Sequence, residues 1–155
     1  MRATITLFLA GLLMVAQSST MARQEPSVVG VWRVAAVTHP GGVNSQPQPG
    51  LFIFTKAHFS IVRVVSELPR PALGNLNEAT ASELLAVLGN SSFSASSGTY
   101  TQAPGAITVR TIVAKLPVSM QPTSSSTFTV KWQGNDLILG AGPGGSTLYH
   151  LKRLE

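Results

Sequence analysis

The sequence predicts an all-β fold, an eight-stranded antiparallel up-and-down barrel with one short helix inserted around residues 80–89. Three observations predict it. Residues 28–154 hold eight β-branched or alternating runs, the breaks between them are rich in Gly, Pro, Ser and Asn, and no helical segment is large enough to cover an open sheet. Antiparallel strands in that number must close or stack to hide their edges, and closure is the economical solution; a two-sheet sandwich is the structural alternative.

The first run, Val28 to Thr38, is rich in valine and ends at His39-Pro40-Gly41-Gly42, a strand followed by a loop. Leu51 to Lys56 and His58 to Val65 are separated by a single residue and read as a tight hairpin. After Pro69 and Pro71 the composition changes. Thr80-Ala81-Ser82-Glu83 has capping-box spacing, residues 83–88 favour helix, and Gly89 stops it. Five further strands follow: Phe93 to Thr101, Ala106 to Lys115, Thr127 to Gln133, Asp136 to Leu139 and Thr147 to Leu154. Gly134-Asn135 is a two-residue hairpin signal.

Periodicity assigns some faces. Phe128, Val130 and Trp132 alternate with Thr127, Thr129, Lys131 and Gln133, which turns the first set inward. Ile107, Val109, Thr111 and Val113 join them by the same alternation. The hairpin strands are ambiguous, because Leu51/Ile53 and Phe52/Phe54 are both apolar. Such a strand either packs under another element, such as the helix, or leaves an exterior apolar patch.

The chain has 155 residues, 11 Lys and Arg against 6 Asp and Glu, and no cysteine. That length suits one domain able to bury a core without staples. The missing cysteines exclude a disulfide framework, a thiol nucleophile, a Cys-based metal site and a lipidated N-terminal cysteine. At the N-terminus, Arg2 precedes an uncharged apolar stretch, Ile5 to Ala16, followed by Thr20-Met21-Ala22. This is the pattern of a secretory signal peptide over residues 1–22, cleaved after Ala22 or alternatively after Ser18. A retained anchor is the alternative, but the apolar core is short for a span. The reading is a barrel domain over 23–155, periplasmic or secreted, not a lipoprotein, with no integral span after cleavage.

Gly30-Val31-Trp32 at the start of the first strand, with Arg153 at the end of the last, resembles the lipocalin signature. The resemblance to bacterial secreted lipocalin-like domain proteins extends over most of residues 28–155 through Gly30 to Val34, Pro49 to Ser60, Ser97 to Thr101 and Leu151 to Glu155. It implies that Trp32 plugs one end of the barrel, that Arg153 stacks across it, and that the barrel can take small apolar ligands. A guanidinium over a sheltered indole gains about 1–2 kcal/mol. Two features depart from the animal lipocalin pattern: the absence of cysteine, and an insertion of about 25 residues, helix included, between the third and fourth strands.

Chemistry-bearing patterns are scarce. Glu25, Glu67, Glu78, Glu83, Asp136 and Glu155 fall in predicted loops, helix or at termini, so no catalytic carboxylate pair is assigned. His39, His58 and His150 lack metal-ligand spacing, and no Gly-x-Ser-x-Gly occurs; neither a metal, a cofactor nor a catalytic residue is assigned. Ser91 to Ser97 reads as a polar strand edge, and Gly140 to Gly145 as a hairpin turn. The basic residues are scattered singly except Lys152-Arg153, which argues against nucleic acid.

The function expected is that of an exported monomeric binding protein holding a small hydrophobic or amphipathic molecule. Gly30, Trp32 and Arg153 close the barrel. Candidate cavity residues are Phe52, Phe54, Phe59, Val109, Phe128, Val130 and Trp132, with core filling as the alternative for each aromatic. Arg63 pairs with a ligand carboxylate if it points inward, although an outward Arg63 with Val62 and Val64 facing the core is preferred. His150 is a candidate donor on the same terms, while Tyr149, Leu151 and Arg153 are the preferred inward set. The alternatives are a barrel isomerase or cyclase, and a filled barrel that docks an envelope protein.

Overall fold

A computed structural model describes residues 26–155 of the chain. The expected signal segment lies outside the described residues. Among the described residues there are nine strands: β1 (Gly30–His39), β2 (Gly42–Asn44), β3 (Gly50–Phe54), β4 (His58–Val64), β5 (Phe93–Ala103), β6 (Ala106–Ala114), β7 (Ser126–Gln133), β8 (Asp136–Ala141) and β9 (Thr147–Arg153). Eight of them, β1 and β3 to β9, pair antiparallel in sequence order, and β1 pairs again with β9 to close the ring. The described residues thus form one continuous closed antiparallel barrel, not a pair of stacked sheets. The unexpected strand, β2, covers three residues and pairs only with the end of β1, where Val37 to His39 meet Gly42 to Asn44.

Alternation explains which residues fill the interior. Phe52 and Phe54 are buried while Leu51 is exposed, which settles the facing of β3. Register carries the same set across to β4, because Phe52 pairs with Ile61 and Phe54 with Phe59. Trp32, Ile107, Leu137, Leu139 and Leu151 join them with essentially no exposed surface. Full burial of each such side chain is worth about 1.5–3 kcal/mol over leaving it in water, so this set carries the fold.

Arg63 belongs to the Phe59 and Ile61 face of β4, and Val62 is exposed. The preferred outward reading of Arg63 is therefore corrected: His58 and Ser60 mark the face opposite Phe59 and Ile61 as outward, but Val62 and Val64 on that same face obscure the alternation beside Arg63. Leu51 and Val62 pair across the β3–β4 ladder and are 42% exposed each, forming an exterior apolar patch. The helix does not cover them.

Val113 is a second correction. Ser97 pairs with Val113 but Gly98 pairs with Thr111, so Ile112 is an extra residue in a β-bulge. The bulge resets the alternation, leaving Ile112 and Val113 both exposed. Gly98 is the reason the strands approach so closely here, since a Cβ at that position would collide with the Arg110 carbonyl oxygen.

The helix α1 (Ala81–Leu88) has the expected ends. The Thr80 hydroxyl accepts from the Glu83 N–H, the Thr80 N–H donates to the Glu83 carboxylate at 2.8 Å, and the Gly89 N–H bonds back to Leu85. No residue of α1 is fully buried; Leu84 and Val87 are half-buried, and the capping box holds the first turn.

Candidate functional site

The two ends of the barrel differ because the sequence fills one and leaves the other lined with small residues. At the filled end Gly30, in a left-handed conformation (φ 147°) open to glycine, starts β1 against Phe54. Trp32 pairs in register with Arg153, whose guanidinium carbon lies 4.2 Å from the centre of the indole. Arg153 also donates to the carbonyls of Val29 at 2.8 Å and Ser27 at 3.3 Å, while the indole N–H donates to the Val28 carbonyl at 2.8 Å. Trp132 packs against Trp32 with ring centres 5.8 Å apart, and Phe54 meets Tyr100 edge-on at 5.3 Å. Burial raises the Tyr100 phenol above its ordinary pKa, and its hydroxyl donates to the Thr55 carbonyl at 2.7 Å.

The opposite end opens into a cavity of about 310 Å³ between β4, β5, β6 and β7. Phe59, Ile61, Arg63, Val109 and Phe128 line it on one side, with Ser94, Ser96, Thr111 and Ser126 among them. An adjoining space of about 140 Å³ is bounded by Phe52, Phe128, Ala141 and Tyr149, and a side cleft of about 120 Å³ runs toward His39, Asn44 and Glu67. Arg63 lines all three.

Ser94 and Ser96 make this space. They stand opposite Arg63 and Ile61 in the β4–β5 register, followed on the same face by Gly98 and Tyr100. The stretch read as a polar strand edge is an interior wall, because β5 is paired on both sides and no edge exists there. The visible signal was the period-two series Ser94, Ser96, Gly98, Tyr100, small at one end and large at the other.

Arg63 donates a hydrogen bond to the Tyr149 hydroxyl, and its guanidinium carbon lies 4.7 Å from the centre of the Tyr149 ring. Lys115, at the rim, donates to the carbonyls of Gly89 at 2.6 Å and Phe93 at 2.8 Å and so ties the end of α1 to the mouth. Arg70 lies 4.9 Å from the centre of the Phe93 ring on the inserted segment. Tyr149 and Lys115 were not among the expected site residues.

The expected cavity set therefore divides. Phe52, Phe59, Arg63, Val109 and Phe128 line open space. Phe54 and Val130 are buried core, and Trp132 supports the floor, so these three fill the closed half. For His150 the preferred reading holds and the candidate donor role does not: its ring hydrogen-bonds the Thr38 hydroxyl at 3.0 Å outside the lumen, and Tyr149 and Leu151 take the inward positions of β9. His58 is exposed at the sealed end and His39 borders the side cleft, so no histidine lines the lumen itself. Among the described residues no cluster of three metal-ligating side chains occurs, and no helix is long and apolar enough to cross a membrane.

No protein-family model matches the chain, and no curated protein matches it. Among solved structures it is similar to a lipocalin-like protein from Bacteroides uniformis ATCC 8492, at 14% identity and a TM-score of 0.48, covering 81% of this chain and 97% of that one. It is also similar to an uncharacterized protein from Bacteroides eggerthii DSM 20697, at 14% identity and a TM-score of 0.46, covering 81% and 98%.

Proposed function

We propose that this lipocalin-like barrel is an exported carrier that holds a small hydrophobic or amphipathic molecule in its open half, without transforming it. One observation carries the reading: the barrel is solid at the Trp32 end and holds a cavity of about 310 Å³ at the other, within the roughly 300–1,000 Å³ range of small-molecule sites. Removal of apolar ligand surface from water onto Phe59, Val109 and Phe128 supplies the driving force. The few polar groups beside them fix orientation.

The test is native mass spectrometry of the protein purified from its producing cells, with N-terminal sequencing of the same sample. The expected result is a chain beginning at Arg23, recovered outside the cytoplasm, with a small molecule retained in gentle ionisation. A chain that keeps residues 1–22, or one that comes out empty and takes up no member of a lipid panel, overturns the reading.

A further inference from the structure

We propose that the molecule held in the lumen is a small acidic amphiphile, whose carboxylate sits on Arg63 with Tyr149 positioning the guanidinium; this rests on the carrier reading. A guanidinium turned into a barrel is costly unless it is paired. Arg63 meets Tyr149, and among the described residues no Asp or Glu lines the main cavity or the adjoining space. Glu67 stands apart on the side cleft.

The hydrogen bond to the Tyr149 hydroxyl uses one of the five N–H groups of Arg63. No buried side-chain nitrogen or oxygen among the described residues lacks a partner, so the other donors of Arg63 are not sealed off, and Arg63 lines the main cavity and the space beside it as well as the side cleft. Their planar fork matches the two oxygens of a carboxylate, and the stacked Tyr149 ring holds it in one orientation. Apolar surface lies beside the fork, at Phe52, Ile61 and Phe128. At roughly 30 Å³ for each non-hydrogen atom, the space a liquid water takes, the main cavity suits a ligand of on the order of ten such atoms.

Octanoate and octanol share a tail of the same length and differ in the head. Calorimetric titration of the exported chain with each should give octanoate about tenfold or more the affinity of octanol. That preference should fade as pH falls through the titration of the octanoate carboxylate. Arg63→Gln should lose the preference and bind the two alike, whatever its absolute affinity, and Arg63→Lys, which keeps charge without the fork, should show an intermediate preference. Equal binding of both probes by the unaltered chain, or a preference that survives in Arg63→Gln, overturns the acid site and leaves the carrier standing. Failure of both probes to bind at millimolar concentration counts against both proposals.

Discussion

Trp32 and Arg153 are register partners across the β1–β9 seam, and the guanidinium of one lies over the indole of the other at 4.2 Å. The contact joins the first strand of the ring to the last, so it sits where a barrel would otherwise open. Arg153 also holds the chain before β1 by donating to Val29 and Ser27. Arg153→Gln removes the stacking and leaves those carbonyls to water. A loss of about 1–2 kcal/mol is expected. Thermal unfolding followed by circular dichroism should show a Tm lower by about 3–8 °C, and an unchanged Tm would mean that the seam closes without this pair.

Gly98→Val tests the bulge. The added side chain meets the Arg110 carbonyl oxygen and, at 2.9 Å, the Ile112 nitrogen, both of them backbone atoms that cannot swing away. Strands β5 and β6 must then separate or lose the bulge. The expected cost is about 2 kcal/mol or more, read from the urea midpoint. Val at the neighbouring outward position, Ser97→Val, should cost far less, because it removes only the 2.9 Å hydrogen bond to Ser60.

These two sites also show how far the sequence could be read. Strand order was legible because each break carries turn residues, and the facing of β7 was legible because Phe128, Val130 and Trp132 alternate with polar residues. β2 was not, since Gly42-Val43-Asn44 is too short to show a period. The bulge at Ile112 was invisible for a different reason: an extra residue shifts the phase of the pattern without changing its composition. The residues of the open half are the least legible. Arg63 sits among four apolar neighbours, Ile61, Val62, Val64 and Val65, so the alternation of His58 and Ser60 with Phe59 and Ile61 fades before it reaches Arg63. The cavity depends on Ser94 and Ser96, whose small polar side chains also suit an exposed strand.

The helix should behave as a unit separate from the barrel. Thr80→Ala removes the acceptor for the Glu83 N–H, a loss of about 1 kcal/mol to α1. Because no residue of α1 is buried, hydrogen exchange over residues 81–88 should accelerate while the Tm of the barrel stays fixed. The Thr80 side chain, and after it the Thr80 backbone, hold the Glu83 carboxyl below its ordinary pKa of 4.5. A depressed folded value means that this support is complete above 4.5 and disappears as pH falls through the lower folded value. Protection factors in α1, exchange rates taken relative to the intrinsic rate at each pH, should therefore fall on acidification in the parent chain and respond less in Glu83→Gln. A coincident loss of helix and barrel signals would contradict the separation.

Ser96→Leu should abolish binding without unfolding the protein. Ser96 lines both the main cavity and the adjoining space, and it faces Ile61 across the β4–β5 ladder. A leucine there projects into volume that is already open, so the strain of overpacking, about 1–3 kcal/mol in a filled core, should be largely avoided. The new side chain covers apolar surface of Ile61 and Phe128 that a ligand would otherwise bury. Thermal unfolding should stay near the parent value, whereas ligand retained in native mass spectrometry should disappear. If the variant keeps its ligand at parental occupancy, the molecule is bound somewhere other than the space bounded by Arg63, Ile61 and Phe128.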